Sequence, residues 1–427
     1  MAGHRRGRHG PSHRTVVVVG VALGVLVGFG LVAAAAIPLP KGAPTLALVV
    51  PPSPASSTHV ALPFPLQGEA ALAIPAMHVL EATANQASVP IASVTKLTAT
   101  YVTLQALPLS PVVEGRPLTL AQTGPSVTVT TADVAAYRHD LKTNQSCVEV
   151  VAGEVLTERQ LLDGLLVHSA SNFALMLGDL VAGSDDEMVV KMNEAAQSLG
   201  MTKSSYVDVT GLDPGSVSSA VDVLHLATVL MANPTFAQIV RQPSVTLPVA
   251  GTVTSYTPYV GRPHVVGIKS GNTTAAGGCD VMAYDVMVAG KPIQIIDVVL
   301  NQFSMKPHPA TAINPDVAAA GRAALVLASA AAHHLAPWRV TTAHAAMGDI
   351  GWPASTVPVL AAVTIEVPTF DGVPSTATVT DVPWASDQVL ANQIVATISV
   401  TSGAFHGRSQ LVASATLTRP TLWQRLR

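Results

Sequence analysis

The chain has 427 residues, of which 49% are hydrophobic and only 11% are charged. This composition is too apolar for a disordered chain, and the length suits about two or three domains. The net charge is −3, so the sequence gives no electrostatic case for binding nucleic acid.

Charge is distributed unevenly at the N-terminus. Residues 1–14 contain four arginines and no acid, and residues 15–37 contain no charge at all; the remainder then holds 19 basic against 26 acidic residues. A helix needs about 20 apolar residues to cross a bilayer, and its basic flank is expected to stay in the cytoplasm. The sequence predicts a transmembrane anchor at 15–37 behind a cytoplasmic basic segment, or a cleaved signal peptide ending near Ala33–Ala36. Both alternatives export the rest of the chain, and the length of the apolar run favours the anchor.

Three regions follow this segment. The proline-rich stretch 38–65 is typical of a semi-extended linker. Residues 66–335 have strand-like runs at both ends and a helical middle, so strands from both ends can join one antiparallel sheet with the helices packed on one side. Short β-branched runs broken by Gly and Pro predict a small β-rich domain at 338–427. The predicted fold class is therefore α+β.

Capping boxes, turn residues and hydrophobic periodicity mark the individual elements. The predicted helices are 93–107, a helix after the Thr157 capping box, 173–181, 185–199, 220–231 and 317–332. The predicted strands are 70–80 (a strand or hairpin), 127–131, 265–269, 281–288, 293–300, 363–367 and 394–400.

Cysteine and histidine patterns do not predict a metal site. Cys147 and Cys279 either form a disulfide in an exported chain or remain lone buried thiols. Neither has the spacing of a metal-ligand pair, and the adjacent His333 and His334 point in different directions on their predicted helix. We therefore expect no metal and no cofactor.

The first of three chemically informative motifs is Ser93-Val94-Thr95-Lys96. Positions i and i+3 share a helix face, so the hydroxyl and the amine can meet. A serine hydroxyl needs a neighbouring base to become a nucleophile, and a lysine can be that base only when burial or a second cation lowers its pKa. Alone, the motif also fits a helix-capping serine and a surface lysine.

Two further motifs follow in order. Ser169-Ala170-Ser171-Asn172 lies between two apolar helices, where polar groups must be hydrogen-bonded. Lys269-Ser270-Gly271 ends a strand-like run, and a lysine beside a hydroxyl and a glycine can hold a substrate carboxylate while the backbone passes close by. The spacings are 76 residues from Ser93 to Ser169 and 100 residues from Ser169 to Lys269. The three motifs together are far more specific than any one of them.

In this order, the motifs resemble those of the active-site serine penicillin-binding enzymes, in particular the low-molecular-mass D-alanyl-D-alanine carboxypeptidases, in an actinobacterial-like form. Other blocks that look like this family are Pro90–Lys96, Leu161–Ala174, Met192-Asn193, Leu199–Met201, Gly211–Asp213 and Gly267–Gly278. The resemblance covers about residues 65–305. It implies a penicillin-binding/β-lactamase-like transpeptidase fold for a catalytic domain at 66–335.

The resemblance also implies catalytic roles. Ser93 would be acylated, Lys96 would take its proton, and Ser169 would help pass a proton to the leaving D-alanine. The backbone N–H groups of Ser93 and Asn272 would form the oxyanion hole. The residues expected to bind substrate are Ser171, Asn172, Lys269, Ser270, Gly271 and Asn272. The implied substrate is a peptidoglycan stem peptide ending in D-Ala-D-Ala, and β-lactams would be covalent inhibitors.

One departure concerns the middle motif, which is usually Ser-x-Asn in this family. Here Ser171 holds the third place and Asn172 follows one residue later. Either Ser171 substitutes for the asparagine, or a small shift of the loop brings Asn172 in. The alternatives to a carboxypeptidase are an endopeptidase, a β-lactamase of the same superfamily, and a catalytically impaired wall-binding protein on the same fold. No Glu-x-x-Leu-Asn pattern supports the β-lactamase.

Overall fold

The computed structural model describes residues 43–54, 60–304, 314–352, 355–383 and 387–421, with residues 17, 21, 24–28 and 32 near the N-terminus. The predicted basic segment and most of the predicted anchor lie outside the described residues. Within the described residues no single helix has both the length and the hydropathy to span a membrane. The bent pair Ala220–Met231 and Pro234–Val240 passes the same test only when its two helices are taken together.

Helices occupy the middle of the chain and one long segment after it. From residue 43 onward, the described α-helices are α1 (Lys96–Ala106), α2 (Leu120–Thr123), α3 (Thr131–Lys142), α4 (Glu158–Val167), α5 (Ser171–Ala182), α6 (Asp185–Ser198), α7 (Ala220–Met231), α8 (Pro234–Val240) and α9 (Pro315–His333). Short 3-10 turns cover Pro75–Met77 and Ala92–Thr95.

Strands flank the helical part and fill the C-terminal region. The strands up to α9 are β1 (Thr45–Leu48), β2 (Glu69–Ile74), β3 (Val79–Ala82), β4 (Val89–Pro90), β5 (Ser126–Thr128), β6 (Val155–Thr157), β7 (Val217–Ser218), β8 (Ser244–Leu247), β9 (Gly251–Thr254), β10 (Val265–Thr273), β11 (Gly277–Val288) and β12 (Lys291–Gln302). Those after α9 are β13 (Leu335–Thr341), β14 (Ala346–Trp352), β15 (Ser355–Ala361), β16 (Ile365–Phe370), β17 (Ser375–Asp381), β18 (Gln388–Val389), β19 (Ile394–Ser402), β20 (Phe405–Ala413) and β21 (Leu417–Thr418).

One antiparallel sheet combines strands from both ends of the predicted catalytic domain, as the sequence predicts. Its order is β10-β11-β12-β2-β3. β11 and β12 are joined by a tight turn at Ala289 and Gly290, both of which have positive φ, as a two-residue hairpin requires. The sheet separates two apolar cores. Helix α9 covers one face through buried small residues such as Ala324 and Ala328, and the helical part of the chain packs on the other.

Most helices in the helical part of the chain begin close to the residues that the sequence predicts. Thr157 and Ser184 cap α4 and α6 by accepting hydrogen bonds from backbone N–H groups. The prediction of a strand at 127–131 is wrong at its end, because β5 stops at Thr128 and α3 starts at Thr131. Thr130 forms a capping box with Asp133, and this box begins a helix that has almost no buried face. Its apolar pattern is weak, because only the half-buried Val134 and Tyr137 pack against the core.

The C-terminal region is rich in β-structure, as predicted, and it recruits a strand from the far end of the chain. Its six-stranded sheet has the order β1-β14-β15-β20-β19-β17. Within it, Thr45 pairs with Gly351 and Leu48 pairs with Gly348. β1 lies inside the segment 38–65, for which the sequence predicts a linker. The backbone is extended there, as expected, but it is hydrogen-bonded to β14 as the edge of the sheet.

Candidate active site

Ser93 lies in the 3-10 turn Ala92–Thr95, which leads directly into α1 at Lys96. The sequence predicts an α-helix from Ser93, so the structure differs only in the tighter winding of the first turn. Lys96 Nζ donates to Ser93 Oγ at 2.9 Å and also lies 3.1 Å from Ser171 Oγ. The predicted nucleophile and the predicted base of the first motif are thus within hydrogen-bond distance of each other.

The environment of Lys96 suits a proton acceptor. The side chain is fully buried, and this burial lowers the pKa of Lys96 to about 7, although the negative charges of Asp208 and Asp140 oppose the shift. A large fraction of Lys96 is therefore neutral near pH 7, whereas an exposed lysine would be almost wholly charged.

The second lysine pairs with the other serine of the middle motif. Lys269 Nζ, on β10, donates to Ser169 Oγ at 2.8 Å and to the carbonyl oxygen of Ser270 at 2.6 Å. Burial lowers the pKa of Lys269 well below its ordinary value, the charge of Lys96 lowers it further, and Asp280 acts in the opposite direction. The structure therefore contains two lysine–serine pairs, and Ser171 bonds to the first of them.

The structure decides between Ser171 and Asn172. Ser171 bonds to Lys96, whereas Asn172 faces away and is paired with the backbone of Val148. The Val148 N–H donates to Asn172 Oδ1 at 3.1 Å, and Asn172 Nδ2 donates to the Val148 carbonyl at 2.9 Å. The expectation that Asn172 binds substrate is therefore corrected, because its amide is buried and holds a neighbouring segment.

The third motif brings β10 against the Ser93 turn. A Cβ atom at Gly271 would lie 2.6 Å from the backbone nitrogen of Ser93 and 3.1 Å from the Cβ of Ala92. Only glycine permits this approach, which fulfils the expectation from sequence. Ser270 Oγ donates to the carbonyl of Tyr256 at 3.0 Å, and Asn272 Nδ2 donates weakly to that of Gly277 at 3.3 Å.

Comparison with known proteins agrees with this geometry. The family model described as D-alanyl-D-alanine carboxypeptidase, Peptidase_S11, matches residues 66–304, which is more than half of the chain. The chain belongs to this family. All three motifs lie within the matched segment, so the resemblance inferred from the sequence is confirmed.

Two relatives show how far this family likeness extends. The carboxypeptidase DacB2 of Mycobacterium tuberculosis is 42% identical over 120 residues, which are 27% of this chain and 40% of that protein. The D-alanyl-D-alanine endopeptidase of Pseudomonas aeruginosa is 29% identical over 230 residues, 52% of this chain and 66% of that protein. The chain thus spans less than two thirds of the length of either relative.

The fold of this family member is also shared with solved structures. A peptidoglycan synthesis regulatory factor (PBP3) from Streptococcus pneumoniae superimposes with a TM-score of 0.55 at 21% identity, covering 84% of this chain and all of that one. The predicted penicillin-binding type of α+β fold is therefore confirmed. The shared fold extends beyond the segment that the family model matches, because that segment is little more than half of the chain.

The sequence motifs did not identify two acids beside the site. Asp208 accepts hydrogen bonds from Thr210, Leu212 and Ser216 in a loop that presses on the Ser93 turn. In this loop a Cβ at Gly211 would come within 1.9 Å of the Ala92 carbonyl oxygen. The only available signal was the family-like block at Gly211. Asp140 lies on α3, which was itself not predicted.

Neither cysteine is paired in the structure. Cys147 is half-buried and Cys279 is buried, and both are free thiols. The sequence left a disulfide and two lone thiols as alternatives, and the structure contains two lone thiols. In the part of the chain that the structure describes, no group of three or more His, Cys, Asp or Glu side chains could hold a metal ion.

Proposed function

We propose that this protein is a serine-type D-Ala-D-Ala carboxypeptidase, which removes the terminal D-alanine from peptidoglycan stem peptides through an acyl-enzyme on Ser93. The observation that carries the proposal is the fully buried Lys96, with Nζ 2.9 Å from Ser93 Oγ. A neutral amine in that position can take the serine proton at neutral pH. Membership of the D-alanyl-D-alanine carboxypeptidase family supports the class of substrate.

Acylation follows from the two lysine–serine pairs. Ser93 Oγ attacks the carbonyl carbon between the two D-alanines, and its proton passes to Lys96 Nζ. When the tetrahedral intermediate collapses, the C–N bond breaks and the leaving amine takes a proton through Ser169, which is bonded to Lys269. Lys96 is neutral again once the leaving amine has departed with a proton. Water then attacks the ester carbonyl and gives one proton to Lys96 Nζ; the ester C–O bond breaks, and Lys96 returns that proton to Ser93 Oγ as the shortened peptide leaves.

The third motif orients the substrate. Lys269 Nζ can donate to the terminal carboxylate, and the negative charge of a bound carboxylate favours the charged form of this lysine. The hydroxyl of Ser270 can turn from the Tyr256 carbonyl to donate to the same group. Because Gly271 lets β10 contact the turn that holds Ser93, the backbone N–H groups of Ser93 and Asn272 can both donate hydrogen bonds to the carbonyl oxygen of the substrate. Preorganised donors of this kind are a large part of the stabilisation in acyl transfer.

We further propose that the enzyme works outside the cell membrane, attached to it by the charge-free run 15–37. The four arginines that precede this run support the orientation. Peptidoglycan would be the partner there, and β-lactams, which mimic the terminal dipeptide, would form a slow acyl adduct on Ser93.

Labelling with a fluorescent penicillin tests the proposal. The wild type should become covalently labelled, and Ser93→Ala should not, although its thermal unfolding should match the wild type. A folded wild-type protein that stays unlabelled would overturn the catalytic assignment.

The endopeptidase relative aligns over about half of the chain, so cleavage of cross-links is the second candidate activity. Free D-alanine released from a pentapeptide supports the carboxypeptidase. Cleavage of a cross-linked dimer without D-alanine release from the pentapeptide supports the endopeptidase.

A further inference from the structure

Tyr256 lies in the segment between β9 and β10, and its backbone joins the second and third motifs. Its N–H donates to the carbonyl of Val167, two residues before Ser169, at 3.0 Å. Its own carbonyl accepts from Ser270 Oγ, also at 3.0 Å. Ser270 follows Lys269, whose Nζ donates to Ser169 Oγ at 2.8 Å. Tyr256 is therefore fixed beside the two side chains that are proposed to bind the terminal carboxylate of the substrate.

The ring of Tyr256 stacks on His168, the residue immediately before Ser169. The two ring centroids are 4.5 Å apart, and the ring planes are inclined by 32°. His168 is half-buried, and its Nδ1 lies 2.8 Å from the carbonyl oxygen of Thr254. Because a carbonyl oxygen can only accept, Nδ1 carries the hydrogen of this bond, and the bond fixes the orientation of the imidazole. His168 thus holds the ring of Tyr256 against the end of α4.

The stacked pair is uncharged near pH 7. Burial lowers the pKa of His168, the bond to the Thr254 carbonyl opposes this shift, and the charge of Lys269 lowers the pKa further. Burial also raises the pKa of Tyr256 above its ordinary value. The imidazole is therefore neutral and the phenol protonated, so the pair presents an aromatic surface rather than a charged one.

Tyr256 keeps a large accessible surface despite these contacts. It is 45% exposed, although its backbone N–H and C=O are both paired and His168 covers one side of its ring. A second His–Tyr stack, Tyr284 on His264, differs because Tyr284 packs against the core beneath α9. An apolar ring that remains open beside a binding site can gain free energy when a ligand covers it.

The chemistry of the substrate indicates which group would cover the ring. The carboxylate of the terminal residue and the side chain of that residue are bonded to the same carbon atom. When Lys269 and Ser270 bind the carboxylate, the side chain is held close to Ser270. Tyr256 is the neighbour that is hydrogen-bonded to Ser270, and its open ring is apolar.

We propose that Tyr256, held by His168, is a specificity-determining residue: its ring packs on the side chain of the residue that the enzyme releases. The enzyme therefore favours a peptide whose last residue has a small apolar side chain over a peptide whose last residue has none. The inference rests on the proposed function and deepens it, since it assigns a surface to the leaving residue. It gives His168 and Tyr256 a role that none of the three motifs contains.

The test compares two synthetic peptides, one ending in D-Ala-D-Ala and the other in D-Ala-Gly, which differ by one methyl group on the leaving residue. The ratio of their kcat/KM values reports the contribution of that methyl group. Tyr256→Ala removes the surface on which it packs and should lower the ratio by about 5-fold. Tyr256→Phe keeps the ring and should keep the wild-type ratio. The ratio does not depend on the amount of active enzyme, so a less stable variant still reports it.

His168→Ala leaves the ring in place without its support and should lower the ratio in the same direction, which keeps the inference testable if Tyr256→Ala has no measurable turnover. Tyr284→Ala is the matched control, because it removes the tyrosine of the second His–Tyr stack, whose centroids are 5.2 Å apart. Its ratio should equal that of the wild type.

An unchanged ratio in Tyr256→Ala would overturn the inference, and where that variant has no turnover, an unchanged ratio in His168→Ala would do so. An equal fall in Tyr284→Ala would overturn it too, because the effect would then be a general loss of rigidity. A fall in Tyr256→Phe as large as that in Tyr256→Ala would assign the effect to the hydroxyl and would also contradict it. A folded wild type that releases no residue from either peptide would instead overturn the proposed function.

Discussion

At the scale of single residues, two neighbours in the middle motif have different roles: Ser171 contacts the predicted base, and Asn172 holds the fold together. Ser171 points to Lys96, and Asn172 fastens the backbone of Val148 to the first turn of α5. The serine hydroxyl can accept from Lys96 and still has a hydrogen to donate. A shorter side chain than the usual asparagine thus keeps one contact to the base and one donor for a substrate.

This division predicts opposite outcomes for two alanine substitutions. Ser171→Ala removes a hydrogen bond to the base and should slow acylation of Ser93 by about 10-fold, with little change in stability. Asn172→Ala leaves the buried N–H and C=O of Val148 unpaired and should cost about 2–3 kcal/mol of the free energy of unfolding. Penicillin labelling rates and urea unfolding of both variants measure the two effects. If Asn172→Ala abolished labelling at unchanged stability, Asn172 would be a substrate ligand after all.

How far the sequence could locate the site also depends on individual residues. Ser93, Lys96, Ser169 and Lys269 were found from their motifs, because short spacings and residue types report chemistry directly. The roles of Ser171 and Asn172 stayed open, since the direction of each side chain depends on how residues 146–148 pack. Asp140 was not found, because it belongs to none of the three motifs and its helix has only a weak apolar pattern.

At the scale of elements, the site depends on contact between β10 and the 3-10 turn that holds Ser93. The strand approaches so closely that Gly271 leaves no room for a methyl group beside the Ser93 nitrogen. The nearest atom in the way is the backbone nitrogen of Ser93, which cannot rotate aside as a flexible side chain could. Two elements distant in sequence are therefore set at a fixed separation.

Gly271→Ala should push β10 away from the turn and disturb the alignment of the two oxyanion donors. We expect acylation of Ser93 to slow by about 100-fold, because misplacement by about 1 Å can cost that much. The rate of penicillin labelling measures the loss. Val266→Ala, a truncation at a half-buried position on the same strand away from the turn, should label at nearly the wild-type rate. Labelling of folded Gly271→Ala at the wild-type rate would show that the contact is not needed.

Some of these elements were predictable from the sequence and others were not, and the difference has a physical reason. β10, β11 and β12 have long apolar runs and a clear turn, because they are buried on both faces. β1 is four residues long and lies among prolines, so nothing in its local sequence distinguishes it from a linker. Its structure comes from hydrogen bonds to β14, which a local pattern cannot reveal.

At the scale of the whole molecule, the segment before the catalytic sheet joins the two main regions. β1 is part of the C-terminal sheet, whereas Val60 is buried in the core beneath α9. The carbonyl of Gln67 then accepts a hydrogen bond from Gln302 at the end of β12. One stretch of chain thus contacts the C-terminal sheet, α9 and the catalytic sheet in turn.

Charges placed on the inner face of β1 should release this strand. In the double variant Leu46→Asp and Leu48→Asp, two half-buried apolar side chains that pack on the C-terminal core become charged. Hydrogen exchange across β14 should then accelerate by about 10-fold or more, because its backbone loses a partner, while penicillin labelling stays unchanged. Thr45→Asp with Ala47→Asp places the same charges on exposed positions and should leave exchange near the wild-type rate. Equal exchange in all three proteins would mean that β1 does not protect β14.

The pairing of β1 with β14 also constrains the order of events in biosynthesis. Thr45 and its partner Gly351 are 306 residues apart, so the ribosome makes the first strand long before the second. During that interval β1 carries unpaired backbone donors and acceptors, which are open to other strands and to proteases. A chain interrupted anywhere before residue 346 would never cover them. The backbone groups that β1 directs toward β14 therefore stay uncovered until the C-terminal sheet has been synthesised. Only that side of the strand is covered in the finished molecule, because β1 forms the edge of its sheet.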